Sequence, residues 1–152
     1  MKNKIKTFKH AVEDTFEIKN CFQNGLKALG KYSNKIELSD TTKCEGSIEI
    51  DECVRPIYPQ ENRWDYAFSY KGEVYFVEVH SADTSEVKVV LKKLQWLKDW
   101  LNSKAPELEK LKAKSKAFTW IQSKGNHILP KSSQSRELAQ KGLMPISKLK
   151  LQ

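Results

Sequence analysis

Residues 62–83, NRWDYAFSYKGEVYFVEVHSAD, hold two runs of strand-forming residues joined by Lys71-Gly72, with one acid in each arm, Asp65 and Glu78. Aromatic and β-branched side chains suit a pleated, half-buried surface, and both arms are rich in them. Lys71-Gly72 predicts a two-residue hairpin turn, with Gly72 taking the positive φ that such turns need. Tyr70 then faces Glu73, and counting outward sets Asp65 opposite Glu78 and Arg63 opposite His80. Because side chains alternate along a strand, Asp65, Glu78 and His80 share one face, while Trp64, Tyr66, Phe68, Tyr75, Val77 and Val79 share the other. Directly opposed residues have Cβ atoms about 4.5–5.5 Å apart, and like charges so placed destabilise a sheet. Something should therefore compensate, and a divalent cation is the simplest compensation, since Mg²⁺ binds through one or two carboxylates and keeps several waters.

Outward from the hairpin, the first ten residues read as a loose, basic arm, and residues 1–14 as a lead-in to a single domain over 15–152. Ile18, Cys21, Phe22, Leu26 and Leu29 follow helical spacing from Thr15 to Lys31. Short strands are predicted around Ile36–Leu38 and Ser47–Val54. After the hairpin, Asp83 or Thr84 with Glu86 predicts a capped helix start. The stripe Val87, Val90, Leu91, Leu94, Leu97 and Leu101 predicts a long amphipathic helix running to Ala105-Pro106. PELEKLKA reads as a short helix, KAFTWIQS as a strand, GNHILP as a loop, and SRELAQKGL as a helix stopped at Gly142. This alternation predicts an α/β fold with a mixed central sheet.

The chain has 152 residues, 39% hydrophobic and 30% charged, which is the composition of a globular domain. No apolar run approaches the roughly 20 residues of a membrane span, and the start lacks a secretory hydrophobic region, so no membrane partner and a cytoplasmic location are expected. Cys21, Cys44 and Cys53 are an odd set without CxxC spacing; they read as free thiols rather than a zinc site. The net charge is +8, and residues 101–152 hold eleven basic residues against three acids. Such a segment suits phosphate contacts along a nucleic acid, with Lys112, Lys114, Lys116 and Lys124 as candidates. It equally suits a solvated surface that keeps the protein dispersed.

An acid entering one strand and a Glu78-Val79-His80 triplet ending the next, in this order of elements, resembles the PD-(D/E)XK, or restriction-endonuclease-like, nuclease superfamily over residues 15–122. The resemblance implies a three-layer sandwich, with a mixed central β-sheet flanked by helices, and hydrolysis of nucleic-acid phosphodiesters with Mg²⁺ or Mn²⁺, DNA ahead of RNA. It implies metal ligation by Asp65, Glu78 and the Val79 carbonyl. His80 stands where the superfamily has lysine; an imidazole can accept a proton from water or orient it.

Glu17 and Glu49 are candidate third acids. Members of that superfamily often direct a lysine or glutamine from the long helix to the site, which makes Lys92 and Gln95 candidates here. The alternative is a catalytically degenerate nuclease fold that binds nucleic acid or protein. Trp96 and Trp100, four apart on the long helix, suit packing or a dimer or partner surface.

Overall fold

The computed structural model describes residues 7–152. The hairpin forms as its turn dictates. Strand β4 (Tyr66–Tyr70) pairs antiparallel with β5 (Glu73–Asp83), with Tyr66 opposite Val77 and Tyr70 opposite Glu73. Lys71 and Gly72 both take positive φ, at 50° and 81°. This turn matches the right-handed twist of the strands it joins.

Three more strands extend the sheet: β1 (Gln23–Asn24), β3 (Gly46–Glu49) and β6 (Phe118–His127), in the order β1-β3-β4-β5-β6. The first four are antiparallel to their neighbours, whereas β6 runs parallel to β5. A parallel pair needs a crossover connection. Helices α3 (Val87–Ser103) and α4 (Pro106–Leu111) supply it. The fold is thus mixed α/β around a mixed five-stranded sheet.

Each sheet face has its own core. Ala67, Val74, Phe76 and Trp120 pack against α1 (Phe8–Glu13), α2 (Ile50–Val54), α3, α4 and α5 (Ser133–Lys141). Along α3, Val87, Val90, Leu94, Leu97, Trp100 and Leu101 are buried. Each fully buried Leu or Val side chain is worth about 1.5–3 kcal/mol, so this stripe fixes the helix on the sheet. On the other face Phe68, Tyr70, Tyr75, Val77 and Ile121 meet Leu29, Ile36, Leu149 and Leu151. Among the described residues no long helix lies there. The cover is a run of 3₁₀ turns over Lys27–Lys35 and a small parallel sheet of β2 (Ile36–Leu38) and β7 (Leu149–Leu151).

Several sequence expectations need correction. The helix expected over Thr15–Lys31 does not form: the segment is 3₁₀ turns around β1, because Gly25 and Gly30 take φ of 52° and 54°, which no right-handed helix allows. Residues 1–6 of the proposed lead-in lie outside the described residues, but Phe8, Ala11 and Val12 of α1 are core, so 8–13 is no arm. The second early strand ends at Glu49 and turns into α2. Strand β6 runs on to His127, through what reads as a loop.

The capping box also fails, since Asp83 makes no side-chain cap bond and Glu86 bonds His80 instead. Trp64 is buried with the helices rather than opposite them, because β4 begins only at Tyr66 and the alternation does not reach it. Cys21 and Cys53 form a disulfide with Cα atoms 6.3 Å apart, and only Cys44 is a free, buried thiol. The free-thiol reading therefore falls for two of the three cysteines. Among the described residues no helix is long and apolar enough to cross a membrane.

Candidate functional site

At the mouth of the hairpin the two acids meet. Asp65 lies one residue before β4, where the ladder has ended, and its side chain takes over as acceptor: Val79 N–H donates to Asp65 Oδ2 at 3.0 Å. Reciprocally, Asp65 N–H donates to Glu78 Oε1 at 3.1 Å. Each carboxylate is thereby tied to the backbone of the other's strand, which fixes both without flexible intermediaries. Glu78 is fully buried.

A charge so placed needs a counter-charge, and α3 brings one. Lys93 Nζ donates to Glu78 Oε2 at 2.6 Å and stands 3.8 Å from Asp65 Oδ1. The opposed acids are thus compensated here by an ammonium group. His80 adds a second cation-forming group, with Nδ1 3.4 Å from Glu78 Oε2 and Nε2 2.8 Å from Glu86 Oε1.

The electrostatics follow from this crowding. Burial, and then the neighbouring Glu78 charge, push the Asp65 carboxyl up to about 7, against the pull of Lys93 and the Val79 N–H. For Lys93, burial works against the charged form, but Glu78 and Asp65 outweigh it and the amine holds its proton more strongly than usual. His80 is also raised: its contact with Glu78 leads, burial opposes, and Glu86 adds to the rise. Two groups that favour their cationic forms surround one buried carboxylate, and a second carboxyl shares the space.

The structure brings Asp65, Glu78, Val79 and His80 together and leaves the other candidates elsewhere. Lys92 and Gln95 line a groove on another side of α3. Lys92 precedes Lys93 by about 100° around the helix, enough to carry it away from the carboxylates. Glu17 accepts hydrogen bonds from Tyr58 Oη and Trp100 Nε1 at 2.8 and 2.9 Å, so it is spent on packing. Glu49 pairs with Tyr66 across the sheet and so shares the Tyr66–Val77 face, opposite the acids.

The acid nearest in effect is Asp51 in the first turn of α2, whose charge acts on both Asp65 and Lys93. It is itself held by Arg63 Nε at 2.9 Å. Lys112 bridges to Val74, and Lys114 N–H donates to Glu73. With neighbouring Lys116, they sit at the turn end of β5, about 13 Å along the strand from Glu78. Lys124 lies further along β6, past Gln122, which pairs with His80. Trp100 is buried and stacks on Trp96 at 5.7 Å, so packing claims it.

Sequence reasoning missed Lys93, Glu86 and Asp51. Lys93 lies beside the apolar stripe of α3, seven residues before buried Trp100 and so on the same side of the helix. Among the described residues no group of three or more His, Cys, Asp and Glu side chains is arranged to hold a metal ion. The hard-oxygen donors on offer are the Asp65 and Glu78 carboxylates, and Glu78 Oε2 is taken by the Lys93 ammonium. No family model matches the chain, and neither the curated proteins nor the solved structures give a match to it.

Proposed function

We propose that this protein is a Mg²⁺- or Mn²⁺-dependent hydrolase of nucleic-acid phosphodiesters, DNA ahead of RNA, with a restriction-endonuclease-like core. One observation carries the reading: two carboxylates at the mouth of the β4–β5 hairpin, Asp65 and buried Glu78, converge with an amine from the crossover helix 2.6 Å from one of them. The strand order supports it, with an antiparallel β3-β4-β5 meander followed by a helical crossover to parallel β6. In this reading Lys93 supplies from α3 the lysine that Glu78-Val79-His80 lacks.

Asp65, Glu78 and the Val79 carbonyl would hold the ion, which supplies charge neutralisation at the phosphate and a more acidic water. With an ion held there, the Lys93 ammonium would be free to set its charge against a phosphate oxygen. His80, held by Glu86 at Nε2, is oriented rather than free, and its preference for the cationic form suits it to donate to a phosphate oxygen rather than to take a proton from water. Burial of Glu78 keeps its carboxylate fixed and strengthens every one of these interactions.

The test is cleavage of single- and double-stranded DNA and RNA with Mg²⁺ or Mn²⁺ against chelator. Lys93→Ala and His80→Ala should each lose roughly 10²–10³-fold, the cost of removing one donor aimed at developing charge. Wild-type protein inert on all four substrates would remove the enzyme.

The rival reading, a degenerate fold acting as a binding module, is favoured by a specific fact: Lys93 already satisfies Glu78 without an ion. It predicts no cleavage and no gain in stability from metal.

A further inference from the structure

A groove of about 440 Å³ runs between α3 and α5, on a flank of α3 that Lys93 does not share. Around a helix with 3.6 residues per turn, Lys88, Lys92 and Gln95 lie about 100–160° from Lys93, so a chain seated in the groove would not cover Asp65 and Glu78. The groove has a basic rim: Lys88, Lys92 and Lys98 from α3 and Lys141 from α5, against the single acid Glu137. Among the described residues none of these lysines is paired with a carboxylate. Lys98 rests over the Phe118 ring at 5.5 Å. The floor is apolar. Leu91 is half-buried there between buried Val87 and Leu94, the one member of the α3 stripe left short of full cover.

A basic rim over an apolar floor selects an occupant that is anionic at its edges and apolar along its centre. A nucleic-acid backbone has the charge but nothing to set on Leu91. The walls are two helices whose lining residues recur at i, i+3 and i+4, and such a cleft accepts a third helix by ridge-into-groove packing. Lys88 to Lys98 spans about 15 Å, close to three helical turns.

We propose that the α3–α5 groove is a docking site for an acidic amphipathic helix of a partner protein, with its apolar stripe on Leu91 and its carboxylates on Lys88, Lys92 and Lys141. The site is independent of the carboxylate pair and of any metal.

The experiment uses two fluorescein-labelled peptides of identical glutamate and leucine composition. One has leucines at every third and fourth position; in the other the order is scrambled so that no stripe forms. Fluorescence anisotropy with the full chain in chelator should show the striped peptide binding about tenfold or more tighter than the scrambled one. Lys88→Glu/Lys141→Glu, both exposed positions, should weaken it by at least another tenfold, with an unchanged thermal midpoint. Leu91→Gln should weaken the striped peptide while leaving the scrambled one unaffected. Equal binding of the two peptides, or equal binding by the charge-reversed variant, overturns the proposal. So does displacement of the striped peptide by a single-stranded oligonucleotide of equal charge, which would reassign the groove to nucleic acid. Because no readout involves cleavage or metal, failure of the nuclease reading leaves this result untouched.

Discussion

Lys93 is the residue on which the carboxylate pair depends. It sets a positive charge 2.6 Å from a fully buried carboxylate, and removing one partner of such a pair strands the other. Lys93→Met should therefore cost about 3–5 kcal/mol, read as a fall in the denaturant midpoint. Mn²⁺ should restore part of the loss, since an ion between Asp65 and Glu78 replaces the missing charge. An unshifted midpoint would show that the ion pair contributes nothing. Asp65 adds a pH dependence. Its carboxyl is raised from 3.8 to about 7, so between those values the folded protein holds a proton that the unfolded chain has released. Stability then falls as pH rises from about 4 to 7, with a slope of up to about 1.4 kcal/mol per pH unit for one proton. His80 acts in the same direction, because its raised affinity for a proton stabilises the fold below its folded pKa and is lost above it. Asp65→Asn should flatten the slope in denaturant melts at pH 5, 6 and 7, and a slope unchanged by that substitution would assign it elsewhere.

Two elements hold the strand that carries Asp65 in place: the hairpin turn and the α2 end of the sheet. Gly72 sits at a φ of 81°, where a β-branched residue is strained, so Gly72→Val should destabilise by about 1–3 kcal/mol in equilibrium unfolding. The Cys21–Cys53 disulfide closes a loop with a sequence separation of 32 and ties the segment before β1 to α2. By the chain-entropy account its reduction should cost about 3–4 kcal/mol, visible as a lower thermal midpoint in reductant. These two elements also mark how far the sequence could be read. The hairpin register followed from Lys71-Gly72 alone, because a two-residue turn leaves no freedom in the pairing, and α3 followed from its apolar stripe and α5 from its glycine stop, both of which are local. The Thr15–Lys31 segment misled because Ile18, Cys21, Phe22, Leu26 and Leu29 mimic a helical stripe, while Gly25 and Gly30 break the backbone beneath it. β7 offered only Leu149 and Leu151 around one lysine, and its partner β2 lies more than a hundred residues away. Lys93 was passed over for Lys92 because the phase of α3 against the sheet is set by packing, and one residue of phase decides which lysine reaches the acids.

At the scale of the molecule, the sheet separates two environments. Helices bury one face and deliver Lys93 to the acids, while turns and the β2–β7 pair close the other. The lysines at 112, 114 and 116 lie at the turn end, away from the carboxylates, so a nucleic acid reaching both must run along the length of β5. If these lysines hold phosphates, affinity for DNA in chelator should fall steeply with salt, by about 0.7–0.9 in log K per log salt for each contact, and Lys112→Gln/Lys116→Gln should reduce that slope. A slope unchanged in the variant would make them a solvated surface. The nuclease reading stands on one claim, that Asp65 and Glu78 together take a divalent ion in exchange for Lys93. Calorimetric titration of Mn²⁺ into the metal-free protein at pH 6 and 8 tests it directly. Binding should be saturable, should tighten as pH rises because the ion requires Asp65 ionised, should release a proton at pH 6, and should be lost in Asp65→Asn. No binding at millimolar Mn²⁺, or binding of equal strength in Asp65→Asn, would contradict it and leave the cluster a closed ion pair.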